Sequence, residues 1–470
     1  MPSPYTHTSL LTARNALAQR LDPTSFPTLV YWTVPELNAY LIESLRTWQA
    51  YTAFYRDRVT MPTANLKSIY DLTTDIAQPG LFDYNVTNQS LYSTISNHLL
   101  EPPTNPWTGT DQFTLDQINQ ALQRRRDQFL ADTGCVITRT YPIAVPAPPI
   151  SRVPLPDTIL DVRRVGWVTF DAMGNFPLIT PLFRDNEYSA VSYLPSWPQL
   201  ATDPPSFYSV SASPPLSLQI VPPPLNGATI ELLSVSSGPA LSTAPPPASS
   251  LLGIPDDYAW VIKWGALADL LASDSQSPDR ARAAYCEARY RQGVMLAMLH
   301  PSILQAQIND VPVQIDTISN LDYYQGSWQS IASASTPSLI GMAGRNILGL
   351  APVPDTGGGT GYSISFDLVR NMPIPTLDTD FIQVGRDSLD PILDYAQHLA
   401  SFKLGGTDFD ATIPLLLNFT RAASELNSRL RASNVYDLLM RLPALAPMQV
   451  LPRKTSPAVS QSTQSIGVTQ

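Results

Sequence analysis

The sequence predicts an α+β protein in which helical bundles and helical hairpins alternate with antiparallel β-rich insertions and long proline-rich loops. Two helix starts carry capping boxes, and helical periodicity returns after residue 256. Between residues 138 and 250, short runs rich in Val, Ile and aromatic residues alternate with prolines, as is typical of strands joined by turns. Proline makes up 46 of the 470 residues, about twice its usual ~5% share.

Local signals predict the N-terminal helices. Residues 33–36 form a Thr-Val-Pro-Glu capping box, and apolar side chains then recur at helical spacing over 37–48. A shorter helix is predicted over 10–21. Another helix is predicted to begin with the capping box at 114–117 and to stop at Gly134, because glycine readily adopts the left-handed conformation that ends helices.

The proline-rich middle predicts two strand pairs. Residues 161–170 and 176–183 are expected to pair across a turn at 171–175. Residues 216–221 and 228–235 are expected to form a second pair across a Pro/Asn/Gly turn. An antiparallel β-rich unit is therefore predicted here.

A helical hairpin of about forty residues is predicted from Asp256 onwards, since apolar residues recur on one face and Ser277-Pro278 marks a second helix start. The order strand, proline turn, strand, loop, helix, turn, helix in 216–298 recurs in 346–430. This order predicts an internal duplication. Chance likeness between two α+β units with proline turns is the alternative.

Four regions are expected along the chain. They are an N-terminal helical region (1–106), a helix with a β insertion and a helical hairpin (107–310), a second strand and hairpin unit (311–450), and a polar extended tail (451–470). The tail is rich in Ser, Thr and Gln without periodicity, so we expect it to become ordered only against a partner.

Composition excludes several functions. The net charge is −10 and only 14% of residues are charged, whereas wrapping nucleic acid usually needs a basic stripe. The longest basic run, 124–126, is interpreted as a solvated helix face, with binding of a phosphate or an acidic partner as the alternative. Cys135 and Cys286 lack metal-ligand spacing, and a reducing compartment is expected. No signal peptide and no membrane span are predicted.

No motif for catalysis, cofactor binding or metal binding is visible. The glycine-rich run 357–361 lacks the Lys-Ser/Thr of a phosphate loop and is interpreted as a hairpin tip. No Gly-x-Ser-x-Gly turn is present, and the acidic residues are scattered singly. None of the four histidines has another ligand at metal spacing, and these are His7, His98, His300 and His398. We therefore predict no catalytic, cofactor or metal site, and a protein that is not an enzyme.

Several motifs resemble tailed-bacteriophage head-to-tail adaptor (neck, or connector) proteins. The Trp-Thr-x-x-Glu-Leu pattern at 32–37 looks like the first helix of that family. Residues 159–224 resemble its β-rich insertion, and the Ile-Pro-Asp-Asp-Tyr pattern at 254–258 is similar to the start of its paired C-terminal helices. Four segments carry the likeness of the insertion: D-V-R-R-V-x-W at 161–167, L-P-x-W at 194–197, P-x-F-Y at 205–208, and a strand that ends in Pro-Pro-Pro at 222–224. The resemblance covers roughly 30–300.

The resemblance implies a structural virion protein assembled in the bacterial host cytoplasm. It implies a homo-oligomeric ring of twelve copies beneath the portal protein, joined to tail or nozzle proteins. Genomic DNA would pass through the lumen without specific binding, and no membrane or cofactor is involved. One alternative is another tail, baseplate or capsid-associated structural protein. A second is a receptor- or carbohydrate-binding module, against which burial of Trp167, Trp197 and Trp260 would count.

Overall fold

The computed structural model shows a mixed helix and sheet fold, and it describes most of the chain. The described residues are 7–24, 26, 31–76, 84–100, 112–145, 152–170, 177–186, 188, 192, 205–211, 216–224, 228–241, 249–273, 279–299, 302–330, 334–355 and 361–433. The polar tail, His300, Trp197 and the turn at 171–175, all named in the sequence analysis, lie outside them.

Helices and strands follow one another in a mixed order. The helices are α1 (Leu10–Leu21), α2 (Val34–Thr52), α3 (Leu72–Asp75), α4 (Asn88–His98), α5 (Leu115–Thr133), α6 (Ala259–Ala272), α7 (Arg280–Leu299), α8 (Ile318–Tyr324), α9 (Arg386–Ser401), α10 (Gly406–Asp410) and α11 (Ile413–Ser433). The strands are β1 (Thr8–Ser9), β2 (Arg56–Pro62), β3 (Ile69–Asp71), β4 (Thr138–Val145), β5 (Arg152–Pro154), β6 (Ile159–Phe170), β7 (Pro177–Arg184), β8 (Phe207–Val210), β9 (Ser217–Val221), β10 (Ala228–Ser236), β11 (Ile303–Ile308), β12 (Val311–Thr317), β13 (Leu339–Ala343), β14 (Ile347–Ala351), β15 (Ser363–Val369) and β16 (Phe381–Ile382).

The predicted helix caps are confirmed. The backbone N–H of Thr33 donates to the Glu36 carboxylate at 2.7 Å, and the N–H of Thr114 donates to Oε1 of Gln117 at 2.8 Å. Both capping boxes are complete. Helix α5 ends at Gly134, whose φ of 56° lies in the left-handed region. Helix boundaries were predictable because capping chemistry involves residues only a few positions apart.

Replacing Thr114 by Ala should lower the free energy of unfolding by about 1 kcal/mol, because the first-turn amides of α5 lose their side-chain acceptor. Urea unfolding followed by circular dichroism measures this change. Gln128→Ala, on the exposed side of the same helix, is the control and should change the free energy by no more than a few tenths of a kcal/mol. Equal effects of the two substitutions would contradict the capping role.

Among the described residues, fourteen strands form two seven-stranded sheets with the same internal order, and β1 pairs with β16 in a third, two-stranded sheet. One sheet runs β4-β10-β6-β7-β8-β9-β5 and the other runs β2-β15-β11-β12-β13-β14-β3. Counted along the chain, both orders read first, seventh, third, fourth, fifth, sixth, second. The fourth and fifth strands pair in parallel in both sheets, and every other neighbouring pair is antiparallel.

One predicted strand pairing is wrong. Strands exist at 216–221 and 228–235 as predicted, and β6 pairs with β7 as predicted. However, β9 pairs with β8 and β5, whereas β10 pairs with β4 and β6. β10 is a long, largely buried central strand, and it gains more from two long partners than from a local hairpin with β9.

The first sheet lies, in sequence, entirely between β3 and β11 of the second. We call residues 86–299 the inserted unit, and residues 7–76 with 302–433 the split unit. Sheet pairing therefore crosses the predicted regions, because β2 and β3 from 1–106 share a sheet with β12 to β15 from 311–450. The division into four regions, like the duplication over 216–298 and 346–430, stays a prediction.

The hydrophobic cores follow this arrangement. Each sheet has its own core. By contrast, helices of both units share one large core, which includes Trp48 of α2, Phe129 of α5, Trp264 of α6 and Tyr395 of α9. The two units are therefore joined through their helices.

Candidate functional site

The helical contact between the two units is built around a buried ion pair. The ammonium of Lys263 on α6 donates to Glu43 on α2, and the indole Nε1–H of Trp264 donates to the other carboxylate oxygen at 2.9 Å. Lys263 and Glu43 are both buried. The carboxylate therefore receives two donors from the opposite unit, and the pair fixes how α6 lies on α2.

His98 extends this network. Its Nε2 lies 3.1 Å from the Lys263 Nζ. Burial, and then the charge of Lys263, hold the pKa of His98 well below its ordinary value, so the ring is neutral and its Nε2 can accept a hydrogen bond from the ammonium. Burial likewise lowers the pKa of Lys263, although Glu43 opposes the shift. The positive charge of Lys263 is thus compensated by the negative charge of Glu43, as is usual for a buried ion pair with a structural role.

A cavity of 360 Å³ lies beside this pair. Its walls come from α2, α4 and α6, and include Glu43, Arg46, Asp256, Trp260 and Lys263. The Asp256 carboxylate accepts the backbone N–H of Val86 at 2.8 Å. We find no nucleophile with an adjacent base among the described residues lining this cavity, so its geometry does not indicate catalysis.

A second buried group joins α7 to α9. The Tyr285 hydroxyl lies 2.7 Å from Nε2 of His398, and the Thr412 hydroxyl lies 2.8 Å from Nδ1. Phe409 stacks on the imidazole at 4.7 Å between ring centroids. Burial, with a contribution from Arg289, lowers the pKa of His398 to about 3. His398 lies on α9 and is fully buried.

Acidification should weaken the fold through His398. Its folded-state pKa of about 3 lies below the ordinary 6.5, so the unfolded chain binds the extra proton between these values. The stability that the neutral ring provides is complete above pH 6.5 and is lost as the pH falls toward 3, by about 1.4 kcal/mol per pH unit. Urea unfolding at pH 7, 5 and 4 of the wild type and of His398→Gln measures the difference. A difference independent of pH would contradict this assignment.

The first sheet meets α8 of the split unit at a buried arginine. Arg164 on β6 donates to Glu231 on β10 at 2.8 Å and to Asp322 on α8 at 2.6 Å. Its guanidinium also donates to Gln329 at 2.5 Å, and Trp328 Nε1 donates to Asp322 at 2.8 Å. One cation of the inserted unit is thereby held by acidic groups of both units.

The basic run at 124–126 is not a solvated face. Arg124 is exposed, but Arg125 pairs with Asp269 at 2.5 Å and Glu287 at 3.0 Å. Arg126 is fully buried and donates to the carbonyls of Gly238 and Pro239. The prediction was wrong because consecutive helical residues point about 100° apart and cannot share one face.

The remaining candidate residues are structural. Cys135 and Cys286 are buried and free, and burial raises the pKa of both thiols. Within the described ranges, no group of three His, Cys, Asp or Glu residues is placed to hold a metal ion. In the same part of the chain, no helix combines the length and the apolar character needed to cross a membrane.

Exposed apolar side chains mark candidate contact surfaces. Tyr323 and Tyr324 on α8 are 74% and 73% exposed, and Tyr188 is 88% exposed. All three lie in the connection between the fourth and fifth strands of a sheet. Large exposed aromatics are enriched at protein interfaces. A further exposed apolar pair, Ile413 and Leu417, lies on α11.

Part of the chain is similar to a known protein family. Residues 86–307 match the SU10 adaptor protein family. The match supports a structural adaptor-type protein of bacteriophages, and such a family implies a virion component. None of the curated proteins matches the chain. The sequence resemblance placed the family's first helix at 33–48, but the SU10 adaptor match begins at residue 86 and so leaves that helix outside.

The SU10 adaptor match coincides with a structural unit. It begins next to Thr87, which pairs with Leu251 in an isolated bridge, and it contains α4 to α7 and the whole first sheet. It ends in β11, just after the inserted unit. The match therefore covers one complete fold unit of the chain.

Proposed function

We propose that this chain is a head-to-tail adaptor that forms a ring beneath the portal and joins it to the tail. The observation that carries the proposal is that the SU10 adaptor match covers one complete unit, from the bridge at Thr87 to the end of α7. The sequence resemblance to neck proteins supports the same position. The chain would be assembled into virions in the host cytoplasm.

The described interior supports a structural role without catalysis. Two of its buried cations are paired with buried carboxylates, as Lys263 is with Glu43 and Arg164 with Glu231. Trp167 and Trp260 are buried, which counts against the receptor- or carbohydrate-binding alternative. The acidic net charge of −10 supports a lumen through which DNA slides without being gripped.

The exposed tyrosines at 188, 323 and 324 are the surface that we propose for contact with portal or tail proteins. Tyrosine combines a large apolar area with a polar tip and loses little conformational entropy on binding. The rings of Tyr323 and Tyr324 lie edge to face at 5.3 Å between centroids, so they form one raised patch.

Mass measurement of the full chain, alone and with the portal and tail proteins of the same phage, tests the proposal. We expect a ring, and a complex in which that ring joins the portal. The double variant Tyr323→Ser/Tyr324→Ser should still form the ring but lose at least tenfold in affinity for one partner. Val311→Ser, exposed on β12, is the matched control. A chain that stays monomeric and binds neither partner would rule out the adaptor, whereas a location elsewhere in the virion would favour the tail, baseplate or capsid alternative.

A further inference from the structure

We infer that the split unit is a second adaptor-type module, and that the contact between the two modules of one chain recurs between neighbouring chains. The partner is therefore a second copy of this chain, and the surfaces are the outward side of α5 on one copy and the outward side of α11 on the next. The inference rests on the proposed ring and names the interface that would close it.

The two units share more than their sheet order. In the split unit, β1 before α1 pairs with β16 before α9. In the inserted unit, Thr87 before α4 pairs with Leu251 before α6. Each unit thus consists of a short antiparallel pair, two helices, seven strands in one order, and two long C-terminal helices. The split unit has the further short helices α3, α8 and α10, but chance is a poor explanation for agreement in the order of the elements that the two units share.

The second helices agree in detail. Both α2 and α5 have 19 residues, begin with a capping box and end in the left-handed region. In α2, the Thr52 hydroxyl donates to the Trp48 carbonyl at 2.8 Å. In α5, the Thr133 hydroxyl donates to the Phe129 carbonyl at 2.7 Å. These residues occupy the same positions relative to the caps, which aligns the two helices residue by residue.

The SU10 adaptor match covers a continuous stretch of the chain, whereas the split unit is divided into two stretches. The whole inserted unit separates its strands β3 and β11, so a comparison of continuous sequence does not detect it. The equivalent core positions have also diverged. Counted from the caps, Tyr40 and Leu45 of α2 correspond to Ala121 and Arg126 of α5, although all four are buried. The fold is retained while the side chains that fill it differ.

The contact between the modules uses a different surface on each. The split unit contributes α2 and α9, through Glu43 and Tyr395, and the inserted unit contributes α6 and α7, through Lys263 and Arg289. In module terms, the second and third helices of one unit meet the third and fourth helices of the other. Such a head-to-tail contact leaves one complementary surface open at each end, and repetition of it produces a ring or a filament.

A repeated head-to-tail contact requires one open surface on the second helix of the inserted unit, α5, and one on the fourth helix of the split unit, α11. Both surfaces are exposed in the chain. Glu43 and Tyr51 of α2 are buried, whereas their counterparts on α5, Arg124 and Asp132, are exposed. α11 corresponds to α7 and packs on α9 and α2 of its own unit. Its outward side is also open, where Leu417 is 61% exposed. Continuity with the contact inside the chain therefore places α11 of one chain on α5 of the next.

Cysteine cross-linking in the assembled ring tests this interface. Asp132→Cys is combined in turn with Leu417→Cys, Asn418→Cys and Arg421→Cys, which are all exposed positions on α11. On mild oxidation, at least one pair should give a ladder of covalent multiples of the full chain. Asp132→Cys with Val311→Cys is the control and should remain a single chain on a denaturing gel. The native cysteines are buried and can stay.

Two outcomes separate the inference from the proposed function. If rings form but none of the three pairs cross-links, the repeated interface is wrong while the adaptor remains. If no ring forms with any partner, both the repeated interface and the proposed adaptor function are contradicted. Images of the ring provide a second measurement, since the number of module-sized densities should be twice the number of chains found by mass. Equal numbers would overturn the two-module assignment.

Discussion

Replacing Lys263 by Met should lower the free energy of unfolding by about 3–5 kcal/mol. The substitution leaves the Glu43 carboxylate buried between α2 and α6 without its counter-ion, and an unpaired buried charge is far more costly than a lost surface pair. Urea unfolding followed by tryptophan fluorescence measures the change, because Trp264 bonds to the same carboxylate.

Lys67→Met is the matched control for this prediction. Lys67 pairs with Asp75 at 2.7 Å, but both side chains are partly exposed, so the expected cost is below about 1 kcal/mol. The double substitution Lys263→Met/Glu43→Leu removes both charges and should recover most of the loss. If the single and double variants are equally unstable, packing and not charge explains the effect.

Replacing Arg164 by Met should also lower the free energy of unfolding by about 3–5 kcal/mol, and it should loosen the contact between β6 and α8. Glu231 is fully buried and would keep only Arg139, at 2.5 Å, as a cationic partner, while Asp322 would lose its ion pair with the inserted unit. Amide hydrogen exchange should therefore become faster in β6 and β10 of the inserted unit and in α8 of the split unit.

The neighbouring Arg163 provides the control on the same strand. Its side chain points outward, is 41% exposed and pairs with Asp161 at 3.1 Å, so Arg163→Met should cost less than about 1 kcal/mol. Faster exchange confined to β6 in the Arg164 variant, with α8 unchanged, would show that Arg164 does not join the two units.

Several parts of the fold could be predicted from the sequence. The capping boxes at 33–36 and 114–117 and the stop at Gly134 depend on bonds within one helical turn. The β6–β7 hairpin is also local. The adaptor resemblance came from short motifs, and its overlap with the SU10 adaptor match lies in the inserted unit, which is continuous in sequence.

The residues of the candidate site were harder to predict from the sequence. Lys263 and Glu43 carried no motif, because an ion pair between residues so distant in sequence is visible only after α6 packs on α2. Arg125 and Arg126 were predicted to lie on a solvated helix face, but Arg125 pairs with Asp269 on α6 and Arg126 donates to the carbonyl of Pro239. Spacing along the chain could not show these pairings, since burial and partner choice are properties of the packed core.

By itself, the sequence determined several local elements of this protein. These are the starts of α2 and α5, the end of α5, four strands of the first sheet, and a composition with little charge and no catalytic motif. The tertiary structure decided how those elements are grouped. It paired β2 and β3 with strands that follow an entire intervening unit, separated β9 from β10, and joined the helices of both units in one core. The physical reason is range, because caps and turns are satisfied by near neighbours, whereas strand order and buried charge pairs depend on which distant surfaces exclude water together.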